Sequence, residues 1–386
     1  MIGIKDKHNC CGCAACVQRC PRRCILLSED SEGFLYPDVD VENCINCGLC
    51  ETVCPELNQS GKRSPIKTLA AINNDESIRL KSSSGGVFSL LAERIIHNGG
   101  VIFGARFDEK WEVVIGCTET TDGIAQFRGS KYLQARTGDS YYRCEQYLKI
   151  GRQVLFSGTP CQVAGLKRYL GKEYGNLITV DVVCHGVPSP KVWRKYLDET
   201  VGVSNVKGVS MRDKMEGWHN YHLSISYADG DKSKILSSPY GTNDYMRAFL
   251  KNMILRPSCY QCKFRELRSG SDITIGDYWG INNIRPEMND DKGTGLVLVN
   301  TEKGKFILDS GGLKFEETTF EESCQGNPSI LCSPVPWIKR QQFFDKFDTC
   351  HSVVNAIRHS LKPTCRMRVN DLCYKIKCKL KSVFLL

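Results

Sequence analysis

The chain begins with two cysteine runs, Cys10-Cys11-Gly12-Cys13-Ala14-Ala15-Cys16-Val17-Gln18-Arg19-Cys20-Pro21 and Cys44-Ile45-Asn46-Cys47-Gly48-Leu49-Cys50-Glu51-Thr52-Val53-Cys54-Pro55. Both have the spacing Cys-x2-Cys-x2-Cys-x3-Cys-Pro. Three thiolates at this spacing bind three irons of one cubane, while the fourth, held by the following proline, points to a second cluster. The two runs therefore predict two 4Fe–4S clusters near the start of the chain.

The predicted ligand sets are crossed between the runs, as in two-cluster bacterial ferredoxins. The first set is Cys10, Cys13, Cys16 and Cys54, and the second set is Cys44, Cys47, Cys50 and Cys20. Cys-x2-Cys pairs also bind zinc, but two complete tandem runs that each end in Cys-Pro favour iron–sulfur clusters. Cys11 and Cys24 lie outside the spacing, and we expect them to be small buried apolar residues.

The composition places the chain among globular proteins of two or three domains. It has 386 residues, of which 41% are hydrophobic, and it contains no apolar run long enough to span a bilayer. The residues from Met1 to His8 lack the apolar core of a signal peptide. Because the 22 cysteines fall largely in cluster spacing, a reducing cytoplasm is expected rather than a disulfide-rich exported protein.

The positive charge is concentrated at the end of the chain. Residues 351–386 contain eight Lys or Arg and one Asp, so most of the net charge of +9 lies there. The remaining body is nearly neutral, and no nucleic-acid partner is expected. A basic face followed by Val383-Phe384-Leu385-Leu386 suits an anionic membrane surface or an acidic partner. The alternative is a solvated basic helix that packs on the body.

The pattern of elements predicts an α/β protein (α+β overall) in three parts. Residues 1–60 form the ferredoxin module, and Gly61-Lys62-Arg63-Ser64-Pro65 is typical of a linker. Residues 66–345 alternate short buried strands with helices, which indicates a mixed α/β body. Residues 346–386 form a basic helical tail that Pro363 interrupts.

Two polar stretches of the body are candidates for binding phosphate or a flavin. Ser82-Ser83-Ser84-Gly85-Gly86 precedes a predicted helix over Val87–His97, and a Ser/Gly loop at a helix start offers free N–H groups to a phosphate or pyrophosphate. The alternative is an ordinary serine N-cap with a glycine-rich turn. Phe127–Gln134 is basic and aromatic, and it fits either a flavin or phosphate site or a solvated loop.

A βαβ unit brings two further cysteines together. Val154–Ser157 and Leu177–Val183 are predicted strands, with a helix between them that Thr159 caps and Pro160 starts. If the strands are parallel, their carboxyl ends lie at one edge of the sheet. Cys161 and Cys184, which follow the two strands, would then meet at that edge.

Cys259 and Cys262 form another Cys-x2-Cys pair, which brings the number of candidate thiolates in the body to four. Four thiolates suffice for a third 4Fe–4S cluster. The alternatives are a tetrahedral zinc, unligated core cysteines and a redox-active dithiol. Neighbouring polar residues stay ambiguous: His185 suits either a proton donor or a hydrogen-bond partner of the cluster, and Asp277 either a functional or a turn-capping carboxylate.

Six motifs, in this order, resemble the beta-subunit family of coenzyme F420-reducing hydrogenases and dehydrogenases, which also includes plant 7-hydroxymethyl chlorophyll a reductase. The motifs are Ser82–Gly86, Gly129–Tyr132, Gly158–Gln162, Cys184–Ser189, Cys259–Cys262 and Gly276–Gly280. The resemblance covers about residues 66–340. It implies a flavin, usually FAD, beside a 4Fe–4S cluster held by Cys161, Cys184, Cys259 and Cys262. It also implies that Ser83, Ser84, Gly85, Gly86 and Lys131 contribute to the flavin pocket.

The resulting hypothesis is an enzyme, an iron–sulfur flavoprotein oxidoreductase. Electrons would pass between the ferredoxin-type clusters and a flavin that reduces or oxidises a deazaflavin or another small organic substrate. Its partner would be a redox protein or a small electron carrier. The alternatives are a non-catalytic electron-transfer subunit of a larger redox complex and a structural or assembly protein whose clusters only stabilise the fold. The sequence names no catalytic acid or base.

Overall fold

The computed structural model describes residues 1–309 and 311–363. Its α-helices are α1 Ala15–Arg19, α2 Leu49–Thr52, α3 Glu76–Lys81, α4 Val87–His97, α5 Ser140–Lys149, α6 Pro160–Leu170, α7 Pro190–Val201, α8 Asp244–Leu250, α9 Glu302–Leu308, α10 Phe320–Gly326, α11 Arg340–Phe347 and α12 Val353–Leu361. Its strands are β1 Ile25–Glu29, β2 Leu35–Val39, β3 Lys67–Asn73, β4 Val101–Phe107, β5 Val113–Thr118, β6 Val154–Gly158, β7 Leu177–Val182, β8 Val206–Asp213, β9 His222–Asp229, β10 Lys232–Pro239, β11 Ile273–Asp277, β12 Gly295–Val299 and β13 Leu313–Thr318.

An eight-stranded mixed sheet organises the body. Its strand order is β13-β3-β12-β11-β7-β6-β4-β5. The four strands β11, β7, β6 and β4 are parallel to their neighbours in this group, and antiparallel strands complete both edges. The predicted α/β class is confirmed. The carboxyl ends of β6 and β7 lie at the same edge of the sheet, as the βαβ prediction requires.

Both faces of the central strands are covered by helices, so these strands are buried and rich in apolar residues. Phe156 of β6 packs with α5 and α6 on one face, whereas Leu155 packs with α4 and α9 on the other face. The cap of α6 forms as its sequence predicts, with Thr159 and Gln162 in a reciprocal capping box and Pro160 in the first turn. Cys161 is the second residue of α6, so this cap fixes its position beside the sheet edge.

A second, three-stranded antiparallel sheet of order β10-β9-β8 was not predicted from the sequence. It covers residues 206–239 and contributes Met211, Tyr221, Leu223 and Ile225 to the main core. Gly208 of β8 lies at a bulge in the pairing with β9, which obscures the two-residue alternation expected of a strand. This sheet brings Arg212 to the body's large cavity, as described below.

Several of the chain's outer segments are attached to the body. In the predicted linker, Arg63 N–H donates to the Glu266 carbonyl over 3.1 Å, and Lys62 pairs with Glu266 over 2.6 Å. The first part of the predicted tail is α12, whose Ile357 is fully buried in the main core. Residues 364–386, which carry most of the basic side chains of the tail, lie outside the described residues. The division of the chain into parts at residues 60, 66 and 345 stays a prediction.

None of the helices in the described part of the chain is long and apolar enough to cross a bilayer. The longest is α7, which has 12 residues and an apolar face buried in the core.

A buried ion pair joins the ferredoxin module to α11 and gives the first prediction. Arg340 makes a two-pronged salt bridge with Glu32, and the two side chains are only 11% and 10% exposed. Arg340→Ala leaves Glu32 buried without its partner, so we expect the free energy of unfolding to fall by about 3–5 kcal/mol. Urea denaturation under anaerobic conditions measures the loss.

The matched control is Lys67→Ala, which breaks the exposed Lys67–Glu317 pair. We expect it to change the free energy of unfolding by at most about 1 kcal/mol. Equal losses for the two variants would contradict the assignment of Arg340 as a buried link between the two parts.

Candidate functional site

The two cysteine runs share one backbone course. In each run, the residue two positions after the first cysteine is left-handed, with φ of +71° at Gly12 and +52° at Asn46. The residue that follows Cys13 or Cys47 also has a left-handed backbone, with φ of +58° at Ala14 and +75° at Gly48. These positions curl the chain and start the short helices α1 and α2. The result is a pair of similar loops that each present three cysteines.

The neighbours of the cysteines bear on the predicted crossed pairing. One cavity near the amino terminus is lined by Cys20, Cys44, Cys47 and Cys50, and Cys24 also reaches it. Cys54 lies instead near the first run: burial raises the pKa of Cys16 to about 12, and the neighbouring Cys10 and Cys54 thiols add to the increase. The placement fits the two predicted ligand sets, which remain predictions.

The structure places all four body cysteines around a second cavity, which we call the cysteine cavity. Cys161, Cys184, Cys259 and Cys262 line it, and its volume is about 50 Å³. Burial raises the pKa of the Cys184 thiol to about 12. The Val187 N–H donates to Cys259 Sγ over 3.4 Å, a contact of the kind that stabilises a cluster-bound thiolate.

A zinc ion and a cubane differ in how closely their cysteine ligands must converge. Zinc would need four thiolates that all lie about 2.3 Å from one ion. Within residues 1–309 and 311–363, no three His, Cys, Asp or Glu side chains converge closely enough to hold one metal ion. A cubane takes each thiolate at a different iron, so its ligands need not converge on one point.

The ferredoxin module supplies two more side chains to the cysteine cavity. Cys11 and Glu56 both line it, and they are only 8% and 4% exposed. Cys11 is buried as expected, but it lies among predicted ligands, because it lines the cysteine cavity together with Cys161 and Cys184. Cys24 likewise lies beside a predicted ligand, with 3.4 Å between its Sγ and that of Cys20.

A third cavity of about 490 Å³, the large cavity, lies against the sheet edge. All five residues expected at a flavin pocket line it: Ser83, Ser84, Gly85, Gly86 and Lys131. The Ser83 and Ser130 hydroxyls are 2.9 Å apart, and Ser130 N–H donates to Ser83 Oγ over 2.6 Å. The two polar stretches that were far apart in sequence therefore form one wall.

The Ser/Gly loop is built to expose a helix start. Gly86 precedes α4 with φ of +81°, and no described side chain caps the first turn. The alternative of a serine N-cap is thus wrong, and the first N–H groups of α4 remain available to an anion. At Gly85, a Cβ would lie 2.2 Å from the Ala71 carbonyl oxygen. Only glycine allows the loop to pack this closely on β3.

Cations and a neutral imidazole line the same cavity. Arg128 lies over α4, where its Nε donates to Ser89 Oγ over 2.8 Å. Lys131 Nζ donates to the carbonyls of Arg128 and Gly129, and burial lowers its pKa to about 7. His185 Nε2 lies 2.6 Å from Asn252 Oδ1, and burial lowers the pKa of the imidazole. These groups favour phosphate or another anionic ligand.

Asp277 is not a simple turn cap. Arg212 of the unpredicted sheet forms a bidentate pair with it, with both N–O distances 2.8 Å, and Trp218 Nε1 donates to it over 2.7 Å. Arg212 also lies 4.1 Å from the centre of the Tyr221 ring. Sequence reasoning missed Arg212 and Trp218, because only their contact with Asp277, about 60 residues away, indicates their place.

One segment separates the large cavity from the cysteine cavity. Val182, Val183, Cys184, Gly186 and Val187 line both. This segment follows β7 directly, at the sheet edge where α/β proteins place their sites. A predicted ligand of the third cluster therefore stands in the wall of the predicted flavin pocket.

Comparison with known proteins confirms the two modules. Residues 9–57 match the 4Fe-4S dicluster domain, and residues 151–321 match the family described as the C terminus of the coenzyme F420 hydrogenase/dehydrogenase beta subunit. The chain is also similar to an uncharacterized protein of Methanocaldococcus jannaschii, 25% identical over 339 residues that cover 78% of this chain and 86% of that protein.

Two further similarities concern smaller or more distant relatives. The ferredoxin 7Fe of Hydrogenibacillus schlegelii is 46% identical over 54 residues, which are 14% of this chain and 54% of that ferredoxin. A chain from the F420-reducing NiFe hydrogenase complex of Methanosarcina barkeri aligns with a TM-score of 0.47 and 16% identity, over 75% of this chain and 95% of its own length.

The lowered pKa of Lys131 gives a prediction about pH. Its native pKa of about 7 lies below the 10.5 of a free lysine, so the unfolded chain binds more protons between these values and stability rises with pH there. We expect the free energy of unfolding of the wild type to rise relative to Lys131→Met from pH 7 to pH 9.5. Urea denaturation at three pH values measures this difference.

Lys110→Met, which changes an exposed lysine, is the control and should leave the pH slope unaltered. If the free energies of unfolding of wild type and Lys131→Met changed in parallel with pH, the Lys131 ammonium would keep its solvation and its pKa would not be lowered.

Proposed function

We propose that this chain, in which a 4Fe-4S dicluster domain is fused to a domain of the F420 hydrogenase/dehydrogenase beta-subunit type, is an iron–sulfur flavoprotein oxidoreductase. It passes electrons between ferredoxin-type clusters and a flavin that reduces or oxidises a deazaflavin or another small organic substrate. The observation that carries the proposal is the segment 182–187, which lines both the cysteine cavity and the large cavity.

The residues present fit three 4Fe–4S clusters. The ferredoxin module would hold two through the crossed sets of its eight run cysteines. Cys161, Cys184, Cys259 and Cys262 would hold the third, in a cavity that already offers a backbone donor to Cys259 and the Arg265 guanidinium near the Cys184 carbonyl. Iron neutralises the thiolates that burial alone disfavours in this cavity.

The large cavity fits a flavin nucleotide, usually FAD. The free N–H groups at the start of α4 and the Arg128 guanidinium suit its phosphates. Asp277 and Arg212 hold each other in fixed orientation, so their polar atoms are positioned before any ligand arrives. When bound, a flavin supplies two-electron chemistry that a chain of one-electron carriers lacks.

The exposure of the cysteine sets supports an order of electron transfer between them. Cys47 of the amino-terminal cavity is exposed, whereas Cys13 of the other ferredoxin set is buried among core residues of the body. The exposed set is thus the one that a redox partner protein or a small electron carrier can reach. The buried set faces the cysteine cavity through Cys11.

Cofactor analysis tests the composition. We expect about 12 iron atoms, an equal amount of acid-labile sulfide and one flavin per chain from three cubanes and one pocket. Cys262→Ala should lose about four irons, while Cys324→Ala, a half-buried cysteine outside both cavities, should lose none. Iron near eight with no flavin in the wild type would rule out the body sites and leave only the ferredoxin.

Gly85→Ala probes the large cavity separately. The new Cβ meets the Ala71 carbonyl and the Gly295 N–H, so the loop must move away from its place at the start of α4. We expect a large loss of bound flavin with iron content unchanged, measured by absorbance after anaerobic reconstitution. Gly175→Ala is the control, because a Cβ there meets no described atom within 4 Å; equal flavin content in both variants would contradict the pocket.

Turnover distinguishes the enzyme from a non-catalytic electron-transfer subunit. The cofactor-replete chain is incubated anaerobically with dithionite or reduced ferredoxin and with a deazaflavin or small unsaturated or carbonyl compounds. Reduction of one acceptor, lost in Gly85→Ala, supports the enzyme. Clusters that exchange electrons rapidly without any acceptor being reduced would support the non-catalytic role.

A further inference from the structure

Lys214 lies directly after β8 and holds the Ser/Gly loop of the large cavity from behind. Its Nζ donates to the Lys292 carbonyl over 2.6 Å and to the Arg79 carbonyl over 2.8 Å. A longer bond of 3.4 Å leads to the Ser84 carbonyl. Ser84 lines the large cavity, whereas Lys214 and its other two partners do not. The ammonium therefore joins three segments of chain on the side of the loop that faces away from the cavity.

The bond to Ser84 orients the next peptide N–H. In a planar trans peptide, the carbonyl oxygen of one residue and the N–H of the next point in opposite directions. Because the Ser84 carbonyl points toward Lys214, the N–H of Gly85 points away from it, and Gly85 lines the cavity. Arg212 Nη2 holds the preceding carbonyl, that of Ser83, over 3.2 Å. The N–H groups of Ser84 and Gly85 have no hydrogen-bond partner within residues 1–309 and 311–363, so both are left for a ligand.

Three cations lie next to the loop, and two of them have a carboxylate partner among the described residues. Arg79 pairs with Asp290 over 2.5 Å, and Arg212 pairs with Asp277 over 2.8 Å. Lys214 is half-buried, and the partners that the described part of the chain gives its ammonium are the three carbonyls. A cation removed from water is stabilised by an anion placed nearby. The charge of Lys214 thus favours an anionic group in front of the loop.

We propose that Lys214 is a positioning residue that makes the large cavity select phosphorylated ligands. It holds the Ser84–Gly85 peptide so that the Gly85 N–H donates to a phosphate oxygen, and its charge stabilises the bound phosphate through the loop. This inference rests on the proposed function, in which the ligand is a flavin nucleotide. The contact serves the phosphate alone, so the ring system of the flavin gains nothing from Lys214.

Lys214→Met tests the inference with three flavins that differ in their phosphates. The full chain with its clusters is freed of flavin and titrated anaerobically with FAD, FMN and riboflavin, and flavin fluorescence gives each Kd. We expect the Kd values of FAD and FMN to rise about tenfold, the effect of losing a hydrogen bond to a charged group. The Kd of riboflavin should stay within a factor of about two of the wild-type value. A residue that only stabilised the fold would weaken all three flavins alike.

Lys207→Met is the matched control, because Lys207 is an exposed lysine of the same strand, β8. It should leave all three Kd values unchanged. Iron content, counted first, shows whether Lys214→Met is folded. If it is not, Lys214→Gln replaces it, since this variant removes the charge and keeps a polar side chain, and the same loss of preference for FMN over riboflavin is expected.

Equal weakening of all three flavins in the Lys214 variant, or no change in any of them, would overturn the inference and leave the proposed function intact. A wild type that binds riboflavin as tightly as FMN would also overturn it, because the cavity would then not recognise the phosphate. A wild type that binds none of the three flavins would overturn the proposed function itself.

Discussion

The arrangement of the sites depends on one buried cation, Arg256. Its side chain is fully buried between the ferredoxin module and the body, three residues before Cys259. It donates to the Cys10 and Leu35 carbonyls and to Gln134 Oε1 over 2.7–3.0 Å, and it lies 4.2 Å from the centre of the Tyr36 ring. Because a buried charge is costly without such partners, the carbonyls that the ferredoxin module supplies help to offset the cost of burying Arg256.

The Arg256 contacts determine which predicted cluster of the ferredoxin module lies beside the body. Arg256 Nη2 lies 3.5 Å from Cys10 Sγ, and the same segment of chain presents Cys259 and Cys262 to the cysteine cavity. Cys10 of the first predicted set is therefore held beside the body, whereas Cys47 of the second predicted set is exposed. A flexible tether would let either set approach, whereas the Arg256 and Glu32–Arg340 contacts select one.

Local patterns in the sequence predicted the parts of the site that depend on neighbouring residues. The capped helix after β6 begins at Pro160 as predicted, and the helix over Val87–His97 has the predicted bounds, because capping and periodicity act over a few residues. The β8–β10 sheet and the Arg212–Asp277 pair were missed, since a bulge hides the strand alternation and the two partners are far apart in sequence. The place of Cys11 was missed for the same reason: it lines the cysteine cavity only when the ferredoxin module packs on the body.

Burial changes the protonation of the cysteines that line the cysteine cavity. Burial raises the pKa of Cys184 to about 12 and that of Cys259 further, so the free thiolates are disfavoured at neutral pH. Only a cationic group inside the cavity reverses this preference, because its charge offsets the lost hydration of four thiolates.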